Sequence, residues 1–237
     1  MNLLINQDAW LKSFISDITD AFGNKINFIG LQGSNGRGEG TENSDIDIVV
    51  IFDELTIHDL KKYEEVISPM PHREKICGFV SGKQELLHWP KSDLFQFYFD
   101  TTALVGNIDY LLDYITDNDI KQAILSGLGN IYHMCVHNFV HTRNAEILKA
   151  AYKSATFVLR AIYFSRTSVF VKRNADLLPL LSEAEQAILN SYFFTKEAGE
   201  LTMKEFDYLS EKLFNWAKKE IVHYGEVPIS RIAFQVK

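Results

Sequence analysis

The sequence predicts an α+β protein, with strands and connecting helices in its first half and helices alone in its second. Three observations predict it. A glycine-rich stretch, Gly33 to Gly40, runs into an apolar segment, Asp45 to Phe52, that opens on two carboxylates one residue apart. Beyond residue 117 the texture becomes helical periodicity throughout. Charge divides near the same place: residues 1–120 hold 9 Lys+Arg against 20 Asp+Glu, a net of −11, and residues 121–237 hold 15 against 11, a net of +4. We therefore expect two domains with different tasks, 1–117 and 118–237.

Taken in order, Asn6 or Asp8 is expected to cap a first helix on which Trp10, Phe14 and Ile18 recur every four residues, and Gly23 to end it. Lys25 to Leu31 reads as a strand delivering the chain into the Gly33-Ser34 turn. Asp45 to Phe52 is the next strand, its alternation blurred by burial on both faces. Asp53 to Ser68 reads as helix and loop, broken by Pro69-Met70-Pro71. From Lys75 further strands are expected, with a glycine turn near Ser81-Gly82, and the alternating aromatic run Leu94 to Phe99 reads as a strand opened by Asp93 and closed by Asp100. Helices are then expected at about 119–141, 144–166, 174–181, 183–194 and 203–223, with Ser182/Glu185 and Thr202/Glu205 as capping boxes.

Composition narrows the function. With 46% apolar residues, 237 residues can bury a core. The absence of an apolar run long enough to span a bilayer, and a start without signal-peptide character, predict a cytoplasmic protein with no membrane partner. Two cysteines, Cys77 and Cys135, are too few for a disulfide framework. A net charge of −7 argues against a nucleic-acid partner bound through general backbone attraction.

The turn and the carboxylates carry the chemistry. Residues i and i+2 of a strand share a face, so Asp45 and Asp47 are expected side by side, roughly 6 to 7 Å apart, with Ile46 and Ile48 facing the other way. Two carboxylates that close repel, and a divalent cation between them is the expected relief. Gly33, Gly36, Gly38 and Gly40 permit close backbone approach, so amides and the Ser34 hydroxyl can converge on an anion, with Arg37 supplying a planar fork. The stretch lacks the Gly-Lys-Ser/Thr of a P-loop, and its glycines open no obvious dinucleotide-binding helix.

Gly33-Ser34-x-x-Arg37-Gly38 followed by Ser44-Asp45-Ile46-Asp47-Ile48 resembles the signature of the nucleotidyltransferase superfamily that shares its fold with DNA polymerase β. It is closest to the small bacterial aminoglycoside and lincosamide enzymes and to the minimal nucleotidyltransferases. The resemblance implies a mixed-sheet nucleotidyltransferase domain followed by an all-α helical bundle that binds substrate or nucleotide. It implies Mg²⁺ held by Asp45, Asp47 and a third carboxylate at the head of a neighbouring strand. Asp93 matches that position best, Asp100 is the fallback, and Asp93 or Glu146 is a candidate to accept a proton. ATP or another nucleoside triphosphate is the implied donor, bound through Gly33, Ser34 and Arg37.

Two constellations lie in the helical half. His133, His137 and His141 share one helical face, without the His-Glu-x-x-His pattern of a zinc enzyme. Lys149, Lys153 and Arg160 fall within about 40° of one another on a helix, and with Lys172 they are expected to reach the triphosphate. The expected function is therefore transfer of a nucleoside monophosphate, AMP from ATP, onto a hydroxyl of a small acceptor such as an aminoglycoside-like antibiotic, releasing pyrophosphate. The alternative is an antitoxin-like or regulatory nucleotidyltransferase that binds or adenylylates a partner protein. A homodimer is compatible with either.

Overall fold

The computed structural model describes residues 3–42 and 44–226; of residues 3–7 only the backbone is described. The chain divides into two compact units, residues 1–90 with 97–114, and residues 91–96 with 115–237.

The first unit is built on a four-stranded mixed sheet in the order β3-β2-β1-β4. β1 (Ile26–Leu31) pairs antiparallel with both β2 (Ile46–Phe52) and β4 (Thr102–Val105), and β3 (Ile76–Gly82) runs parallel to β2. Helix α1 (Leu3–Phe22) lays Phe14, Ile18 and Phe22 on one face of the sheet, against Ile29, Ile46, Ile48, Val50 and Phe52. The helix already runs from Leu3, so positions 6 and 8 lie within it rather than at its start; Gly23, at φ 53°, follows its last residue as expected. Val49 and Ile51 are also fully buried, which is why β2 reads as a continuous apolar run rather than an alternating one.

After a four-residue turn of helix, α2 (Gly33–Gly36), discussed below, comes α3 (Ile57–Ile67). Its N-terminus is closed by a capping box between Thr56 and Asp59, and Asp59 also accepts from Lys25 Nζ at 2.7 Å. These bonds, the one from Lys25 first, hold the Asp59 carboxyl down to about 2.

Two expectations fail between residues 81 and 100. Ser81-Gly82 is not a turn between strands: it ends β3 and leads into helix α4 (Lys83–Leu87). Leu94 to Phe99 is not a strand but most of helix α5 (Lys91–Asp100). Pro90 precedes the first turn, where proline's fixed φ is no obstacle, and Asp93 in that turn suits the positive end of the helix. The aromatics are used on more than one side: Phe95 packs on Phe164 and Phe170 in the second unit, while Phe97 meets Phe79 edge-on in the first. An all-round apolar helix of this length is indistinguishable from a buried strand by pattern alone.

The second unit is helical: α6 (Asp117–His137), α7 (Ala145–Thr167), α8 (Asn174–Leu177), α9 (Glu183–Glu197) and α10 (Met203–Glu226). Ile120, Ile124, Leu128, Ile131 and Cys135 form the buried stripe of α6, and Gly127 lets Val158 of α7 approach where a Cβ would stand 2.5 Å from its methyl. Both expected capping boxes are present, with Ser182 and Thr202 amides donating to Glu185 and Glu205. A π-turn over Asn138–Thr142 and a left-handed Arg143 separate α6 from α7. His133, His137 and His141 lie exposed along this face, their neighbouring ring centroids 6.0 and 4.9 Å apart.

Candidate active site

The site is assembled where β1 ends beside the start of β2. Gln32 leaves β1 in an extended conformation, its amide donating to the Asp47 carbonyl at 2.8 Å and its side chain to Thr101 Oγ1 at 2.7 Å. Gly33 then turns into α2 at φ 65°, a region that favours glycine. A second constraint falls on the same residue: a Cβ at position 33 would stand 1.8 Å from Asp47 Oδ2. The carboxylate of the strand and the backbone of the turn are thus in direct contact. Ile46 and Ile48 face the α1 side of the sheet, so the pleat puts Asp45 and Asp47 on the opposite face. Asp45 is exposed and Asp47 half-buried.

Asn35, which sequence reasoning missed, ties the turn to the second carboxylate. Its Nδ2 donates to the Asp45 carbonyl at 2.6 Å, and its Oδ1 occupies space that a Cβ on Gly40 would fill, at 1.8 Å. Nothing local in the sequence marks an asparagine in a glycine loop for this role. Ser34 is half-buried in α2, and the first amides of a helical turn have no acceptor within the helix.

Arg37, expected to contact phosphate, is engaged by two carboxylates of its own unit. Its Nη1 donates to both oxygens of Asp100, at 2.9 and 3.0 Å, and its Nε to Glu39 at 3.2 Å, with the side chain only 7% exposed. Burial works against the charge, but Asp100 and Glu39 outweigh it and hold the guanidinium above its ordinary value. The arginine locks the turn to the end of α5, and Thr102 Oγ1 adds a bond to the Gly36 carbonyl at 2.9 Å.

The three candidates for a third carboxylate stand apart in role. Asp93 is exposed in the first turn of α5, not at the head of a strand, and belongs to the second unit. Asp100 ends α5, two residues before the first residue of β4, and is the partner of Arg37. Glu146 is exposed and pairs with Lys149 one turn along α7 at 2.9 Å. Among the described residues no group of three or more His, Cys, Asp or Glu side chains is placed to hold a metal ion.

The three cations of α7 and Lys172, which follows it in the segment before α8, have different surroundings. Lys149 Nζ donates to the carbonyls of Ala198 and Gly199 beyond α9. Arg160, 1% exposed, is a core residue: Nε donates to the Lys172 carbonyl at 3.0 Å, Nη2 to Asn174 at 2.8 Å, and its guanidinium lies over Phe157. Lys172 therefore contributes a backbone carbonyl to that network, and Lys153 is exposed. The helical-wheel reading placed Arg160 correctly in angle and wrongly in depth, because long side chains bury wherever partners are supplied.

The profile of the nucleotidyltransferase domain family matches residues 11–93, the stretch that carries β1, β2, β3 and the glycine-serine turn. Over residues 11–93 the chain is similar to the nucleotidyltransferase domain, a domain of transferases. A Methanocaldococcus jannaschii protein bearing the provisional name protein adenylyltransferase is 48% identical over 54 residues, 23% of this chain and 51% of that protein, so the chain spans about half the length of this curated relative. The crystal structure of spectinomycin adenyltransferase from Enterococcus faecialis, with ATP and spectinomycin, has a similar fold, with a TM-score of 0.54 at 16% identity, over 89% of this chain and 98% of that one. No helix among the described residues is long and apolar enough to cross a membrane.

Proposed function

We propose that the protein is an adenylyltransferase that moves AMP from ATP onto a hydroxyl of a small acceptor, with release of pyrophosphate. The observation that carries this reading is the contact between Gly33 and the Asp47 carboxylate, which puts an anion-accommodating turn and a cation-accommodating pair of acids side by side. In this reading residues 1–117 are the transferase domain and residues 118–237 supply the acceptor side.

The donor set suits Mg²⁺, a hard cation that commonly takes one or two protein carboxylates and completes its shell with phosphate oxygens and water. Asp45 and Asp47 would hold it, and when bound there it supplies neutralisation of the phosphate charge. Ser34 and the first amides of α2 are the groups assigned to triphosphate oxygens. Asn35 keeps Asp45 in register with them, and Arg37 acts through Asp100 to hold the turn in place.

The acidic first half, net −11, supports a cationic acceptor such as an amino-sugar antibiotic. The structurally similar spectinomycin adenyltransferase, crystallised with ATP and spectinomycin, supports the same class. Transfer onto a partner protein is a second reading, supported by the provisional name of the M. jannaschii relative. Labelled ATP and Mg²⁺, offered to spectinomycin, other aminoglycosides, lincosamides and a panel of candidate proteins, separates the two. Label on a small acceptor upholds the first reading, label on protein alone replaces it with the second, and no transfer to any acceptor rejects both.

A further inference from the structure

On the opposite face of the first unit's sheet from Asp47 lies a trough of about 1000 Å³ that none of the chemistry above uses. Its floor is Phe14 and Ile46, members of the core between α1 and the sheet. One wall is α1, where Trp10 stacks on Phe14 with ring centroids 5.4 Å apart and planes 23° from parallel. The other wall includes Val66, Met70 and Pro71, and it is tied across by a 2.8 Å bond from Trp10 Nε1 to the Pro71 carbonyl.

The charged groups of the lining are unequal. Asp17, Asp20 and Glu42 stand against Lys75, with His72 as the remaining titratable side chain. Lys75 Nζ is turned onto the Glu42 carbonyl at 2.5 Å, and His72 faces Glu74 at 3.9 Å. An aromatic wall with a carboxylate rim is the chemistry that recognises organic cations: the ring face attracts the ammonium, the acids neutralise it, and the apolar floor takes the hydrocarbon. The volume is that of a small-molecule site.

We propose that this trough binds a small organic cation with an aromatic or alicyclic body. The site lies on the other face of the sheet from the carboxylate pair but reaches its neighbourhood at Ser44, next to Asp45 in the chain, and at Asn35. Asn35 lines the trough and, through Nδ2, holds the Asp45 carbonyl at 2.6 Å. An occupant of the trough therefore lies against a side chain that holds the backbone of a candidate metal ligand.

The test reads binding rather than transfer, so its outcome is independent of the proposed activity. Thioflavin T, a cationic aromatic, and anilinonaphthalene sulfonate, an anionic one, are titrated into the full-length protein and followed by calorimetry. Thioflavin T is expected to bind once per chain, at least about tenfold more tightly than the anion, and to lose about tenfold in affinity in Asp17→Asn/Asp20→Asn. Both positions are exposed, so that variant keeps the fold. Trp10→Leu, which removes the ring face, is expected to weaken the dye as well, with circular dichroism confirming the fold. Absence of saturable binding, equal affinity for the anionic dye, or unchanged affinity in the carboxylate variant would overturn the proposal. So would displacement of the dye by a basic helical peptide with no small cation competing, which would assign the trough to a partner protein.

Discussion

Gly33 and Asp47 are in contact through the one position on the turn where any side chain would collide with the strand's carboxylate. The glycine is required twice over, by a φ of 65° and by an oxygen 1.8 Å from where its Cβ would stand. Gly33→Ala is therefore expected to move Asp47 or the turn and to lower transfer by about 100-fold or more, while costing about 1–2 kcal/mol of stability from the left-handed backbone. Thermal unfolding and labelled-ATP turnover measured on one preparation check both halves; near-normal turnover would mean that the contact has no functional weight.

Asp45 is exposed and Asp47 half-buried, so neither is needed for the core. Asp45→Asn and Asp47→Asn should each fold with an unchanged melting temperature and lose about 10³-fold in turnover, roughly 4 kcal/mol of barrier. Mg²⁺ binding by calorimetry, in the presence of a non-hydrolysable ATP analogue, should weaken in parallel. Wild-type Mg²⁺ affinity in both variants would remove the carboxylates from the metal-binding role.

Arg37 and Asp100 form a bidentate pair with side chains 7% and 11% exposed. Removing one partner leaves the other charge buried, so Arg37→Ala should destabilise the protein by about 3 kcal/mol or more. Arg37→Met combined with Asp100→Leu should recover much of that loss. An Arg37→Ala protein of normal stability that had lost only ATP affinity would instead make Arg37 a phosphate ligand.

Asp59 gives a pH dependence with a definite sign. Its carboxyl, held at about 2 against an ordinary 3.8, favours the folded state fully above 3.8, and that contribution is lost as pH falls through 2. Acid titration of the melting temperature between about pH 4 and 2 should therefore be flatter for Asp59→Asn than for the wild type. Equal slopes would show that Lys25 and Thr56 do not distinguish the ionised carboxylate in solution.

Thiol chemistry distinguishes the two cysteines. Cys77 is exposed, while burial pushes the Cys135 thiol up to about 12. At pH 8 a maleimide should label the native protein once, at Cys77, and label Cys135 only after unfolding. Rapid double labelling of the native protein would contradict the packing of α6.

Much of the fold was legible because it is written in short-range periodicity. The stripe Phe14, Ile18 and Phe22, the strand Ile46 to Phe52 and the capping boxes at Ser182 and Thr202 each depend on residues within one or two turns of one another. Leu94 to Phe99 reads equally as a strand or a helix because its four aromatics lie in a run of only six residues, and the neighbours of Phe95 and Phe97 decide between the two.

The sequence by itself determined the turn, the two carboxylates and the resemblance to nucleotidyltransferases, since the chemistry of Gly33, Ser34, Asp45 and Asp47 is set by their spacing along fifteen residues of chain. Tertiary structure alone decided where the cations go. Arg37 meets Asp100 across 63 residues, and Arg160 meets Asn174 in a buried network rather than facing solvent. A guanidinium of either kind looks identical in sequence. Its fate depends on whether packing brings an acceptor close enough to offset desolvation, and that is a property of the folded chain.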